Sequence, residues 1–150
     1  MMDLTSLMDA VADRVKTRWP GEKVYLDYLP KDFERPSFAL ELQKEEWNDA
    51  NLVLVRRTVT ILLTGFVATD AYGDSSREAL NERMEAACGL FARGYLQVGD
   101  RAIQVQTIRG MGSPDLMEVT LVFTWMDGRP TDSSSGAPLM ENYELNITKE

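Results

Sequence analysis

Hydrophobic residues recur along this chain with two different periods. Between Asp3 and Arg18, Leu4, Leu7, Met8, Val11 and Val15 return every three or four positions and share one helical face. Asp3 or Thr5 can cap the start, and Trp19-Pro20-Gly21 ends the segment, because proline disfavours helical geometry at the residue before it. From Ser37 to Lys44 the period becomes two: Phe38, Leu40 and Leu42 on one side, Ser37, Ala39, Glu41 and Gln43 on the other. The period-two pattern is longest between Leu52 and Ala68, where Val55, Arg57, Val59, Ile61 and Leu63 alternate with Arg56, Thr58, Thr60, Leu62 and Thr64. It returns between Leu116 and Met126, where Met117, Val119, Leu121, Phe123 and Trp125 form one face.

Weaker signals fill the gaps. Lys23 to Tyr28 predicts a short strand, Pro30 to Pro36 a loop, and Pro36 suits the first position of a strand. Asn48 to Asn51 is turn-like, so the strands on either side are expected to pair as a hairpin. Ser75 and Glu78 have capping-box spacing. Leu80, Met84, Ala87, Cys88 and Phe91 then make a helical stripe that Gly94 would stop. Arg101 to Arg109 alternates weakly, and Gly110 to Asp115 reads as the turn into the last long strand. Asp127 to Asn142, with "TDSSSGAP" at its centre, reads as a linker, and Tyr143 to Ile147 as a short extended arm.

This order predicts an α+β fold: a mostly antiparallel mixed sheet of about five strands with two helices on one face. A folded domain over residues 1–127 and a C-terminal linker and arm over 128–150 are expected. At 150 residues the chain can bury a core without disulfides or metal.

Composition narrows the chemistry. The chain has no histidine, which removes the commonest general base, metal ligand and nucleophile partner. A non-enzyme without cofactor or metal is the expectation. The formal net charge is -8, against sequence-independent binding to nucleic acid. One cysteine, Cys88, allows no internal disulfide and fits a reducing compartment; it reads as a small core residue. No segment has the run of about 18 apolar residues that a membrane span needs, and no signal peptide is legible, so a soluble intracellular protein is expected.

The possible sites are few. Glu45-Glu46 beside Trp47 reads as a charged hairpin end more readily than as an acid pair. Asp70 and Asp74 flank a loop without the spacing of a calcium loop. Gly110-Met111-Gly112-Ser113 lacks the Lys-Ser/Thr of a phosphate loop and reads as turn residues. Arg56 and Arg57 must point to opposite faces of their strand. Either they pair across strands with Glu41 or Glu118, or they serve a contact between subunits. Trp125 continues an apolar face and should be core; Trp47, among charges, is either an interface anchor or packed over the sheet.

The stretch "RWPGEKVYLDYLPKDFERPSFALEL" does no evident chemistry, yet it carries a resemblance. A short amphipathic helix ending at Trp19-Pro20, the strand "KVYLDYL", and a loop ending in "RPSFALEL" resemble the start of the bacteriophage tail terminator family of tailed phages, prophages and phage-tail-like particles. The central strand "RRTVTILLTGFV", a helix after a polar loop, and the closing "LMEVTLVFTWM" continue the likeness over most of residues 3–126.

The resemblance implies a virion protein at the head-proximal end of the tail, assembled in the bacterial host cytoplasm. Such proteins form a ring, typically a hexamer, on the last ring of the tail tube, stop its growth and present a surface to the neck of the head. Its partners would be copies of itself, the tail tube protein, a neck or head-completion protein and, in a contractile tail, the sheath protein. DNA would pass through the lumen without specific binding, and no membrane is involved. A different head–tail connector subunit, a carboxylate enzyme and a small cytosolic binding module are the competing readings. Contacts are expected at the hairpin ends 45–51 and 110–115 and along 128–143. The candidate interface residues are Trp47, Arg56, Arg57, Arg109, Met111, Arg129, Leu139 and Tyr143.

Overall fold

The computed structural model describes residues 1–130. Two helices, α1 (Leu4–Arg18) and α2 (Arg77–Leu90), pack on one face of a six-stranded mixed sheet. Its strands are β1 (Lys23–Leu26), β2 (Ser37–Asp49), β3 (Leu54–Phe66), β4 (Tyr95–Val98), β5 (Arg101–Gly112) and β6 (Met117–Gly128), in the order β1-β2-β3-β6-β5-β4. Among the described residues only β1 and β2 run parallel. The sheet curls into a half-barrel, and α1 touches both of its edge strands, β1 and β4.

The alternating residues of β3 and β6 decide which face the helices cover. Val59, Ile61 and Leu63 lie beside Phe123, Leu121 and Val119, and all six are fully buried. Leu7, Val11 and Val15 of α1 and Ala87 of α2 close over them, again with no exposure. The opposite face, with Thr58, Thr60, Leu62 and Thr64, stays half-buried. Among the described residues it carries no helix.

The segment after α1 is fixed by aromatic and charged contacts. Trp19 packs on Phe38 with ring centroids 4.6 Å apart, and the Arg83 guanidinium from α2 lies 4.5 Å from the Phe38 centroid. Arg83 also makes a two-pronged ion pair to Glu22, at 2.6 and 2.8 Å. A fork-to-fork pair that is largely shielded from water fixes direction as well as distance. The chain reversal at Pro20-Gly21 is thereby tied to both helices.

Several elements depart from the sequence expectation. β4 is an additional strand; four residues are too few to show a period, although Gly99-Asp100 after it forms the turn into β5. The cap of α2 is Ser76, whose Oγ accepts from the Ala79 amide, while Ser75 hydrogen-bonds to Asp115. β2 extends to Asp49 and β5 to Gly112, so Glu45 to Asp49 and Gly110 to Gly112 are strand residues and the turns are shorter. Gly110 is not a turn residue: it lies under α2, where a Cβ would come within 2.9 Å of Met84 Sδ.

Two β-bulges change the facing of the strands. One lies between Leu42 and Lys44 in β2, the other between Val105 and Thr107 in β5. Each bulge reverses which residues face the helices. Beyond the first, Glu45, Trp47 and Asp49 stand on the helix side.

Candidate assembly surface

Arg57 lies at the centre of a dense polar cluster on the helix side of the sheet. It pairs across strands with Trp47 in β2 and Trp125 in β6. Its guanidinium is sandwiched between the two indoles, 4.6 Å from the Trp47 ring centroid and 4.9 Å from that of Trp125. Cation–π contacts of this kind strengthen when water is excluded, and Arg57 is 3% exposed. The charge is met by Glu45 and by Asp127 Oδ2 at 3.0 Å, and the same group donates to the Met2 carbonyl.

Asp127 collects the rest. Its carboxylate accepts from Arg101 at 2.6 Å, from Trp125 Nε1 at 2.8 Å and from the Met2 amide at 3.2 Å, besides Arg57. Burial pushes its pKa up, but these donors outweigh burial and lower it to about 2. The folded value is therefore below the unfolded value of about 3.9. The resulting stabilisation is present above about pH 4 and is lost as pH falls through about 2. Urea unfolding between about pH 5 and pH 2 should show a loss on the order of 1 to 2 kcal/mol from this group. In Asp127→Asn that part of the acid loss should vanish; an unchanged acid profile would refute the assignment.

The cluster is closed on itself: every charge in it has a partner from its own chain. Arg57 is thus paired within the chain, with Glu45 and Asp127 as its acids; Glu41 and Glu118 play no part in it. Trp47 is stacked and also bonded, its Nε1 donating to Glu45 at 2.9 Å, yet 44% of it remains exposed.

The other candidates sit at the rims of the sheet. Arg56 is exposed on the helix-free face, on the opposite side of β3 from Arg57. Arg109 and Met111 are exposed on that same face of β5, Met111 at 56%. Among the described residues Arg109 has no ion-pair partner. Leu139 and Tyr143, and most of the segment 128–143, lie outside the described residues. Gly128 is the last residue of β6, and the Arg129 amide bonds to the Val53 carbonyl at 2.9 Å, so both belong to the folded part.

Arg129 also has a structural task. It donates from Nε to the Asn51 carbonyl at 3.0 Å and pairs with Asp49 at 2.6 Å. The Asn51 side-chain oxygen accepts from the amides of Val53 and Leu54, both at 2.8 Å. These bonds shape the β2–β3 turn, from which two aliphatic side chains point out: Leu52 is 92% exposed and Val53 67%. Alternation in the sequence assigns Leu52 and Val53 to the strand and so misses this pair. The signal available is Asn51 followed by apolar residues with no alternation between them.

Neither acidic candidate gathers into a metal centre. Among the described residues, no three acidic, cysteine or histidine side chains come together to hold a metal ion. Asp70 instead accepts from the amides of Tyr72 and Asp74, as a turn former does. Burial raises the Cys88 thiol above its ordinary pKa, which suits a packing residue. A cleft of about 480 Å³ lies between α2 and the β5–β6 turn, lined by Leu80, Met84, Met117, Pro114 and Arg77.

No family model matches the chain, and no curated protein matches it. A solved structure superposes on it with a TM-score of 0.45 and 17% identity, covering 87% of this chain and 99% of its own. A likeness of that size carries no argument about function.

Proposed function

We propose that the chain is a structural subunit of a phage tail or phage-tail-like particle: a tail terminator that forms a ring, caps the tail tube, stops its growth and offers the head or neck an attachment surface. It works without a catalytic step, cofactor or metal. The observation that carries this reading is where the unsatisfied surface lies. The polar cluster at Arg57 is complete within the chain, whereas Leu52 and Val53 on the β2–β3 turn, Met111 near the end of β5 and the half-covered Trp47 on β2 expose apolar surface at the strand ends and edges, with Tyr28 and Tyr72 exposed on loops. A subunit that must meet different neighbours on its different sides needs surfaces of that kind. The sequence resemblance of residues 3–126 to the tail terminator family is its other support. Copies of itself, the tube protein, a neck protein and, in a contractile tail, the sheath are the partners; DNA passes through the lumen.

The test is electron microscopy of particles labelled through a tag on this chain, compared with particles made without it. The expected result is label at the head-proximal end of tails and overlong tubes in its absence. Label on the head side of the junction instead would move it to the connector class. The cleft beside α2 favours one different reading, a small-ligand binding module; a strictly monomeric protein never found on tails would select it.

A further inference from the structure

We propose that copies of this chain join edge to edge, the far half of β2 of one copy pairing antiparallel with the far half of β5 of the next, so that the sheet runs on between subunits. This inference rests on the ring-subunit reading and specifies its contact. Neither long strand is fully covered on its outer side. β1 pairs only with residues 37–40 of β2, and Asp27 caps the Leu42 amide. β4 pairs only with residues 101–104 of β5, and Gly94 accepts from the Val105 amide. Among the described residues the outer edges of 43–49 and 106–112 are therefore unpaired.

The two edges match in length, polarity of the backbone and charge. The Ala50 amide bonds back to Leu54, so the backbone groups of Asp49, Trp47 and Glu45 turn away from β3. The Ser113 amide bonds to Leu116, so Gly112, Gly110 and Ile108 turn theirs away from β6. Aligning the stretches antiparallel end for end places Glu45 opposite Gly110 and Trp47 opposite Ile108, each pair able to exchange backbone hydrogen bonds on the outer edge. The exposed Trp47 indole then meets Ile108 and is covered. On the helix-free face the same alignment sets Glu46 opposite Arg109.

Charge favours this pairing over two identical edges. On the β2 edge Glu45 and Asp49 are already met by Arg57 and Arg129, leaving Glu46, which pairs with Lys44 of its own strand, as the acid on the helix-free face; the β5 edge holds Arg109 with no acid. Like charges placed directly opposite are destabilising, and two β2 edges aligned in the same way would set Glu46 opposite Glu46, whereas β5 offers Arg109 there. A contact between two different patches is the kind that closes into a ring. The two stretches are offset by about four residues along the strands, roughly 13 Å. Joining copies therefore inclines the strands by roughly 35° to the ring axis, the tilt of closed barrels.

The test uses full-length protein with Cys88→Ala and the pair Glu46→Cys and Arg109→Cys. Opposed residues of this type have Cα atoms about 4.5 Å apart, within disulfide reach. Mild oxidation is expected to give a ladder of covalent dimers, trimers and larger species from the double variant. Each single variant should stop at dimer or remain monomeric. Charge exchange gives a second readout: Glu46→Arg or Arg109→Glu alone should reduce assembly at least several-fold, and both together should restore it. A double-cysteine protein that stays monomeric on oxidation overturns the edge pairing. If wild-type protein then still forms a ring by native mass spectrometry, the ring reading survives with a different contact. If it forms no ring and is absent from tails, that reading falls as well.

Discussion

Replacing Asp127 with alanine is expected to lower the unfolding free energy by about 3 to 5 kcal/mol, the usual cost of removing one partner from a buried ion pair. The change strands more than one group. Arg57, buried between two indoles, keeps Glu45 but loses its other carboxylate; Trp125 Nε1 and the Met2 amide lose their acceptor; Arg101 loses its 2.6 Å ion pair. Met2 is tied to the sheet through this site, by its amide to Asp127 and its carbonyl to Arg57. The residues just before α1 should therefore loosen as well. Chemical denaturation followed by tryptophan fluorescence would measure the effect, because Trp47 and Trp125 flank the site. A loss below about 1 kcal/mol would mean that the cluster contributes little beyond packing. Asp127→Asn should cost less, since the amide oxygen can still accept from some of the four donors.

The second large effect is on assembly, with little on stability. On the tail-terminator reading proposed above, Leu52→Asp with Val53→Asp should abolish capping of the tail tube while leaving the unfolding free energy within about 0.5 kcal/mol, as for surface changes in general. Both side chains project into solvent, and the turn is held by Asn51 and Arg129 through groups that the substitutions do not touch. A turn already bonded into one shape needs less ordering on docking, which favours it as a contact. The measurement is tail length in particles assembled with the variant. Tails of normal length would exclude the tip as a contact. Arg129→Ala, by freeing the turn, should weaken capping in the same direction but less.

The long strands and the helices are legible in the chain's own pattern. The uninterrupted alternation from Val55 to Leu63 and from Met117 to Trp125 is enough to assign both strands, their buried faces and the opposite orientation of Arg56 and Arg57. A period of two with one apolar face admits a single solution against a core. The three- and four-residue spacing in Leu4 to Val15 and Leu80 to Phe91 likewise settles the helices, and with them the α+β class with both helices on one face.

Whatever depends on which residues meet across strands is fixed by packing in three dimensions. Single extra residues at the bulges in β2 and β5 flip the alternation beyond them, and nothing local in the sequence announces such a flip. Glu45 and Trp47 therefore come to Arg57, where continued alternation would send them to the other face. Asp127 reads as the start of a linker because a lone acid after an apolar strand looks like its end. The period of β6 would carry on to it as the next inward position, but only the folded structure shows what it meets there, Arg57 and Arg101. The edges obey the same rule: how much of β2 and β5 stays uncovered is set by the shortness of β1 and β4. Of the two four-residue strands, β1 is foreshadowed by Lys23 to Tyr28 while β4 is not, and where each of them stops is set by the fold and not by the pattern.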